Sequence, residues 1–254
     1  MSGMLTIAKR DFLAYYHSLK GSIIFWFFLL LIGLFFYYFV YAYLQYQQQS
    51  VAMGGQAPKL SYFLNAIFQN LNIIYLLVIP AITMGTFAEE KKNHVDRLLL
   101  TSPVSVLEIV MGKFLASVGV LSLVLLASSV YPLYAVVYGN ADIGPILSSY
   151  LGVFLLLCAQ VSLGLWVSST TDNQFIAFAF TMFGLFLLLI LDSIAPSMTQ
   201  SGWAESLISY LATSSHFENF LKGLITIKDL VYFLAFSSLF LFLTHISIDS
   251  KRWR

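Results

Sequence analysis

The sequence predicts an all-α membrane protein with six transmembrane helices, and three observations carry that prediction. The 254 residues are 59% hydrophobic and only 10% charged, with a mean hydropathy of +0.83, whereas an ordinary soluble domain carries roughly 25% charge. Six stretches, 21–58, 60–88, 114–141, 143–171, 173–191 and 230–248, contain no Asp, Glu, Lys or Arg, and each holds an apolar core near or above the ~18 residues that mark a spanning helix. Backbone groups in lipid must be satisfied within the segment, so these spans are expected to be helices. The chain is read as one membrane domain, 21–254, behind a short leading segment, 1–20. Its single cysteine, Cys158, leaves no intramolecular disulfide to form.

In the leading segment, Leu5, Ala8, Phe12, Tyr15, Tyr16 and Leu19 recur at helical spacing, with Lys9, Arg10 and His17 largely off that stripe. This predicts an amphipathic helix lying in the headgroup layer, serving either as an anchor or as an elbow that passes motion to the first span. The first apolar run is longer than a signal-peptide core and lacks a small-residue cleavage site, so it is expected to be a retained span. Tyr37, Tyr38, Tyr41, Tyr43 and Tyr46 toward its far end read as an interfacial aromatic belt. Gly139 and Gly144-Pro145 flank the third connection, and Pro196 follows the fifth span.

Six spans put both termini on one side with the connections after spans two and four. That side collects Lys9, Arg10, Lys20, Lys91, Lys92, Arg97, Lys113, Lys251, Arg252 and Arg254, against Lys59, Lys222 and Lys228 opposite. The positive-inside rule makes the richer side cytoplasmic.

Between spans two and three lies the one long charged interruption, Glu89-Glu90-Lys91-Lys92 onward to Lys113. Leu98 to Leu100 form a short apolar patch, Pro103 bars a continuous helix, and Ser105 with Glu108 has capping-box spacing. The expected course is a charged bend after span two, a short surface helix, a proline break, and a new helix entering the membrane near Lys113.

Glu89-Glu90, then Arg97-Leu98-Leu99-Leu100-Thr101-Ser102-Pro103-Val104-Ser105, then Glu108-Ile109-Val110-Met111-Gly112-Lys113-Phe114 resembles the signature of ABC type-2 transporter permeases. The branch it is most similar to is that of the gliding-motility and nitrous-oxide-reductase-maturation permeases. The resemblance implies a permease subunit, an exporter of the bacterial inner membrane, paired with a second permease, identical or homologous, and with two copies of a cytoplasmic ATPase that bind ATP and Mg. It further implies that 89–105 supplies a cytoplasmic coupling helix docking on that ATPase, through Glu89, Glu90, Lys91, Lys92, Arg97, Leu98, Leu99, Leu100, Thr101, Ser102 and Pro103. A non-transporting scaffold or motility component driven by the same ATPase is the alternative. The chain has no G-x-x-x-x-G-K-[ST] phosphate loop, so it is expected to be a transport subunit with no ATPase motif, no cofactor of its own and no nucleic-acid partner.

Residues 193–228 are expected to carry short helices on the outer side. Trp203, Leu207, Tyr210 and Leu211 form a weak helical face, and Phe217, Phe220, Leu221, Leu224 and Ile225 a stronger one, introduced by a second capping box at Ser215 to Glu218. These are either a re-entrant pair like the one that roofs the dimer in the family it resembles, or plain interfacial helices. The segment 217–254 also looks like the last segment of the gliding-motility branch. Two polar residues near lipid stand out: Gln160, suited to an interhelical hydrogen bond, and Asp192, either a snorkelling group or a substrate contact. The four histidines, His17, His94, His216 and His245, are too dispersed for a bis-histidine haem, and no paired-acid or Ser-His arrangement points to an integral-membrane enzyme.

Overall fold

The computed structural model describes residues 3–52, 60–93, 104–139, 142–194 and 212–252. Its helices are α1 (Gly3–His17), α2 (Leu19–Ala52), α3 (Leu60–Lys92), α4 (Val106–Ala127), α5 (Val130–Gly139), α6 (Ile143–Thr170), α7 (Gln174–Ile194), α8 (Thr213–Leu221) and α9 (Ile227–Arg252). No strand occurs among the described residues. Six helical stretches are long and apolar enough to cross a membrane: Gly21–Ser50, Asn65–Lys92, Val106–Val137, Ile143–Thr170, Gln174–Leu191 and Ile227–Ser250.

The third of these is two helices in series. Pro132 cannot donate the backbone bond that would reach the Ser128 carbonyl, so the chain breaks at Ser128-Ser129. Tyr131 N–H bonds to Ser128 O instead, Leu133 N–H resumes the helical pattern to Ser129 O, and the Ser128 hydroxyl donates to Leu125 O at 2.7 Å. Gly144 and Pro145, read as flanking the third connection, fall in the first turn of α6, where a proline lacks only a bond that has no partner anyway.

Span α6 is the axis of the bundle and packs against α3, α4, α7, α8 and α9. It can be approached closely because its second half carries small residues where its neighbours meet it, Gly164 and Ser168 against α3 and Ser169 against α3 and α9. A Cβ at Gly164 would collide with Thr83 of α3, and the Ser168 hydroxyl donates to Met84 O at 3.1 Å. By contrast α2 lies at the periphery. It stacks Phe28 on Tyr75 of α3 at 5.2 Å between ring centres and leaves Ile23, Trp26, Leu30, Tyr37, Tyr38 and Tyr41 more than half exposed.

The N-terminal helix forms where the sequence places it, and the face it turns to the protein only partly coincides with the predicted stripe. Of the predicted stripe, Ala8, Phe12 and Tyr15 are half-buried while Leu5, Tyr16 and Leu19 are exposed, and Ile7 and Asp11, which lie off that stripe, turn inward. Helix α1 packs chiefly on α4. Gly112 permits this: a Cβ there would stand 2.9 Å from Ile7, too close for any larger side chain without moving the helix.

Two further expectations change at the opposite end of the bundle. Ser215 does not cap α8; the cap position is Ala212, Ser215 lies inside the helix with its hydroxyl donating to Ala212 O, and Glu218 pairs with Lys222 at 2.8 Å. The helix closes at Leu221, so Phe217, Phe220 and Leu221 are buried while Leu224 and Ile225 are exposed beyond its end. Trp203, Leu207, Tyr210 and Leu211 lie outside the described residues.

Candidate functional site

At the end of the bundle that carries α1, the last turn of α3, the first half of α4 and α1 itself meet around one side chain. Lys113 is 2% exposed. Its ammonium donates to Glu90 Oε1 at 2.7 Å, to Thr86 O at 2.9 Å and to Asp11 Oδ2 at 3.3 Å, which uses all three of its donors. It also stands 5.2 Å from the centre of the Phe87 ring, an attractive cation–π position. Arg10 closes the cluster from outside, 2.8 Å from Asp11 and 3.6 Å from Glu90. Its hydrogen bond to Asp11 raises the guanidinium's pKa further above its ordinary value, so it stays charged.

Local sequence explains how the cluster assembles. Helix α4 starts at Val106 because Ser105 and Glu108 form the expected capping box: the serine hydroxyl accepts from Glu108 N–H at 3.2 Å, and the Glu108 carboxylate accepts from Ser105 N–H at 3.1 Å. Lys113 follows two turns later, next to the glycine that admits α1. Helix α3 does not bend at Glu89 but continues through the acidic pair to Lys92. Its 33 residues span about 50 Å at 1.5 Å per residue, well beyond the ~30 Å hydrocarbon core, so Glu89 to Lys92 project into the headgroup region. Tyr15 adds a further tie, its hydroxyl donating to Ile82 O at 2.6 Å. Burial pushes its phenol up to about 12, so the hydroxyl remains a donor at any physiological pH.

A second junction fixes α3 to the bundle axis. Lys91, also buried, donates to Ser169 O at the end of α6 and lies 3.9 Å from Asp172. The Ser247 hydroxyl of α9 reaches the same carbonyl at 3.2 Å. The ends of α3, α6 and α9 are thus gathered on one atom.

Of the residues predicted to contact an ATPase, Glu90 and Lys91 are held inside the subunit by these junctions, Glu89 lines the cavity between α1 and α3, and Lys92 is exposed. Arg97, Leu98, Leu99, Leu100, Thr101, Ser102 and Pro103 lie outside the described residues. Gln160 Nε2 donates to Asn72 Oδ1 of α3 at 2.7 Å, joining α6 to α3 within the membrane. Asp192 falls in the last turn of α7, with its side chain outside what the structure describes. The residues that sequence reasoning missed are Lys113, Asp11, Arg10, Thr86 and Tyr15 as a unit. The available signals were the 7–11–15 spacing through an acid and a lone lysine in an apolar helix.

The far end carries a second polar cluster. His216 Nδ1 lies 2.7 Å from Asp229 Oδ1, and Asp229 Oδ2 accepts from Asn219 Nδ2 at 2.9 Å and Thr226 Oγ1 at 2.6 Å. The His216 ring stacks on Tyr232, 4.0 Å between centres. The network binds α8 to the start of α9.

A protein-family model described as ABC-2 family transporter protein matches residues 45–246. The match takes in α3 through most of α9 and so includes both clusters apart from Arg10, Asp11 and Tyr15. Comparison with curated proteins finds no significant match.

Proposed function

The chain belongs to the ABC-2 family of transporter proteins, and from that premise we propose that it is an exporter permease driven by a separate cytoplasmic ATPase docking on residues 89–105. Membership makes it a multi-pass membrane subunit of an ABC transporter. In this proposal two ATPase copies, holding ATP and Mg, act beneath two permease subunits, identical or homologous, in the bacterial inner membrane. Both termini and the 89–105 segment face the cytoplasm, a placement supported by the ten-to-three division of basic residues between the two sides. The likeness to the gliding-motility and nitrous-oxide-reductase-maturation branch belongs to the same proposal.

The observation that carries the reading is the Lys113 junction. Residues 89–105 connect α3 to α4, and Glu90 near the end of α3 sits on Lys113 of α4. Lys113 in turn holds Asp11 of α1. A displacement imposed on the segment by ATPase closure is therefore passed to α3, α4 and α1 as a unit, which is what rigid-body switching between inward- and outward-open states requires. The Lys91–Ser169 bond extends that unit to the bundle axis.

The test is reconstitution with the cognate ATPase. The purified chain alone should hydrolyse no ATP, and with the ATPase it should form a stable complex whose turnover depends on the permease. ATP turnover by the isolated chain, with contaminants excluded, would remove the reading.

A further inference from the structure

Gln160, in the second half of α6, is 7% exposed, and the two ends of its amide are treated differently. Nε2 donates to Asn72 of α3, whereas Oε1, fully buried, has no hydrogen-bond partner in the protein. An amide oxygen sealed inside a helical bundle without a donor is costly and seldom left so. Serines of the same helix meet this need one turn back, as Ser162 does on Ala159 O, a route closed to a glutamine side chain extended to α3.

Beside Gln160 lies an internal cavity of about 10 Å³ between α6, α7, α8 and α9. That is room for a single water molecule, which requires about 10–15 Å³ and two to four polar partners. Among the described residues on its wall, Gln160, Thr213 and Tyr232 are polar, and the others, such as Leu156, Leu188 and Phe236, are apolar. None of them belongs to α3, so with Nε2 engaged on that helix, Oε1 is the atom left for the cavity side.

The hydroxyls of Thr213 and Tyr232 stand 3.4 Å apart, and either can donate to the other. This is longer than the roughly 2.5–3.0 Å of a well-made O–H···O bond. A guest that bridges them to Gln160 must donate to Oε1, must also be able to accept, and can be no larger than one heavy atom. Water meets all three conditions. A calcium or magnesium ion would take about six or more oxygens, and an anion has nothing to donate to Oε1. Thr213 also lines a larger cavity of about 300 Å³ between α3, α7 and α8, together with Gln69 and Asn72. The two cavities share this side chain, which gives water a way in.

We propose that the small cavity is the site of one structural water, donating to Gln160 Oε1 and bonded to the hydroxyls of Thr213 and Tyr232. A single side chain of α6 then ties α3 directly and α8 and α9 through water. The site involves neither the 89–105 segment nor an ATPase, so it stands or falls separately from the coupling reading.

The experiment is X-ray radiolytic labelling of the full-length protein in detergent, in which hydroxyl radicals formed from bound water oxidise the side chains beside it, followed by mass spectrometry. Phe233, 1% exposed next to Tyr232, should be oxidised well above Phe28, which is 0% exposed and stacked on Tyr75. Gln160→Leu removes the acceptor, and Ala159→Val narrows the cavity while keeping every polar group on its wall. Each should lower oxidation of Tyr232 and Phe233 to the Phe28 level, and Ala159→Val decides the matter if Gln160→Leu is not recovered folded. Asn72→Ala breaks the direct bond to α3 but keeps Oε1, so it should leave the labelling in place. Phe233 oxidised no more than Phe28 in the unaltered protein, or labelling that persists in Ala159→Val, would overturn the proposal. Loss of labelling in Asn72→Ala would detach the effect from Oε1 and overturn it as well.

Discussion

Lys113 Nζ lies 2.7 Å from Glu90 Oε1, so the first half of span three is locked to the last turn of span two by a pair almost wholly removed from solvent. The lysine side chain is 3% exposed and the glutamate 19%. A buried ion pair contributes little net stability compared with apolar packing, but removing one member is costly because the other is left charged and unpaired.

Lys113→Met should therefore destabilise the subunit by about 3–5 kcal/mol, since Asp11 and Glu90 lose their common partner. Adding Asp11→Asn and Glu90→Gln to the same variant should recover most of that loss. Thermal unfolding in detergent measures both. A single variant as stable as the unaltered protein would show that the cluster does not hold the helices.

Gly112→Leu tests the packing of α1. With a Cβ already 2.9 Å from Ile7, a leucine must push α1 off α4, at about 1–3 kcal/mol for overpacking. Hydrogen exchange should rise in the amides of α1 while those of α6 remain protected. Unchanged exchange in α1 would mean that the helix does not rest on Gly112.

The spans were legible because their signal, long charge-free apolar runs, is a bulk property that tolerates local error. The cap at Ser105 was legible because both of its partners are within four residues. Asp11 was not, since it lies off the predicted stripe and the lysine it bonds is 102 positions away in sequence. The failure at Ser215 has the opposite cause: the local pattern fits a cap, but burial of Phe217, Phe220 and Leu221 against α6 and α9 sets the start of α8 three residues earlier, at Ala212. The Lys113 junction is wholly a product of long-range contact.

Asp229→Asn should loosen the far end. The carboxylate accepts from Asn219 and Thr226 and faces His216, and an amide there would turn a donor toward at least one of these donors. A loss of about 2–3 kcal/mol is expected, from hydrogen bonds to a charged group. It should appear as faster amide exchange confined to α8 and the first turn of α9. Exchange spread over all spans would instead make Asp229 part of global stability.

Single cysteines, placed after Cys158→Ser, test the topology. Those at Lys92 and Lys251 should react only once a reagent has crossed the membrane, and those at Gln56 and Asp142 should react from outside. Lys92 and Lys251 are at the ends of α3 and α9, which the Ser169 carbonyl gathers on one side of the bundle. Opposite labelling of these two positions would contradict the fold itself, and external labelling of both would invert the proposed orientation.

Leu99→Asp tests the coupling claim most directly. If Leu98 to Leu100 and the Pro103 turn dock on the ATPase, burial of the leucines supplies affinity, at about 1.5–3 kcal/mol for each fully buried side chain, while the charged neighbours orient the encounter. The substitution lies in the connection between α3 and α4 and outside the spanning segments, so the protein should insert and fold normally, yet lose the ATPase from the complex and uncouple its turnover. The control is Leu187→Asp in α7, where the leucine is 43% exposed on a spanning helix. An acid near the centre of a spanning helix costs about 2.5–3.5 kcal/mol on insertion scales, so that variant should fail earlier, in membrane yield, before any effect on coupling can be read. If Leu99→Asp retains full complex and full permease-dependent turnover, the 89–105 segment is a connector, and the Lys113 junction must serve stability rather than transmission.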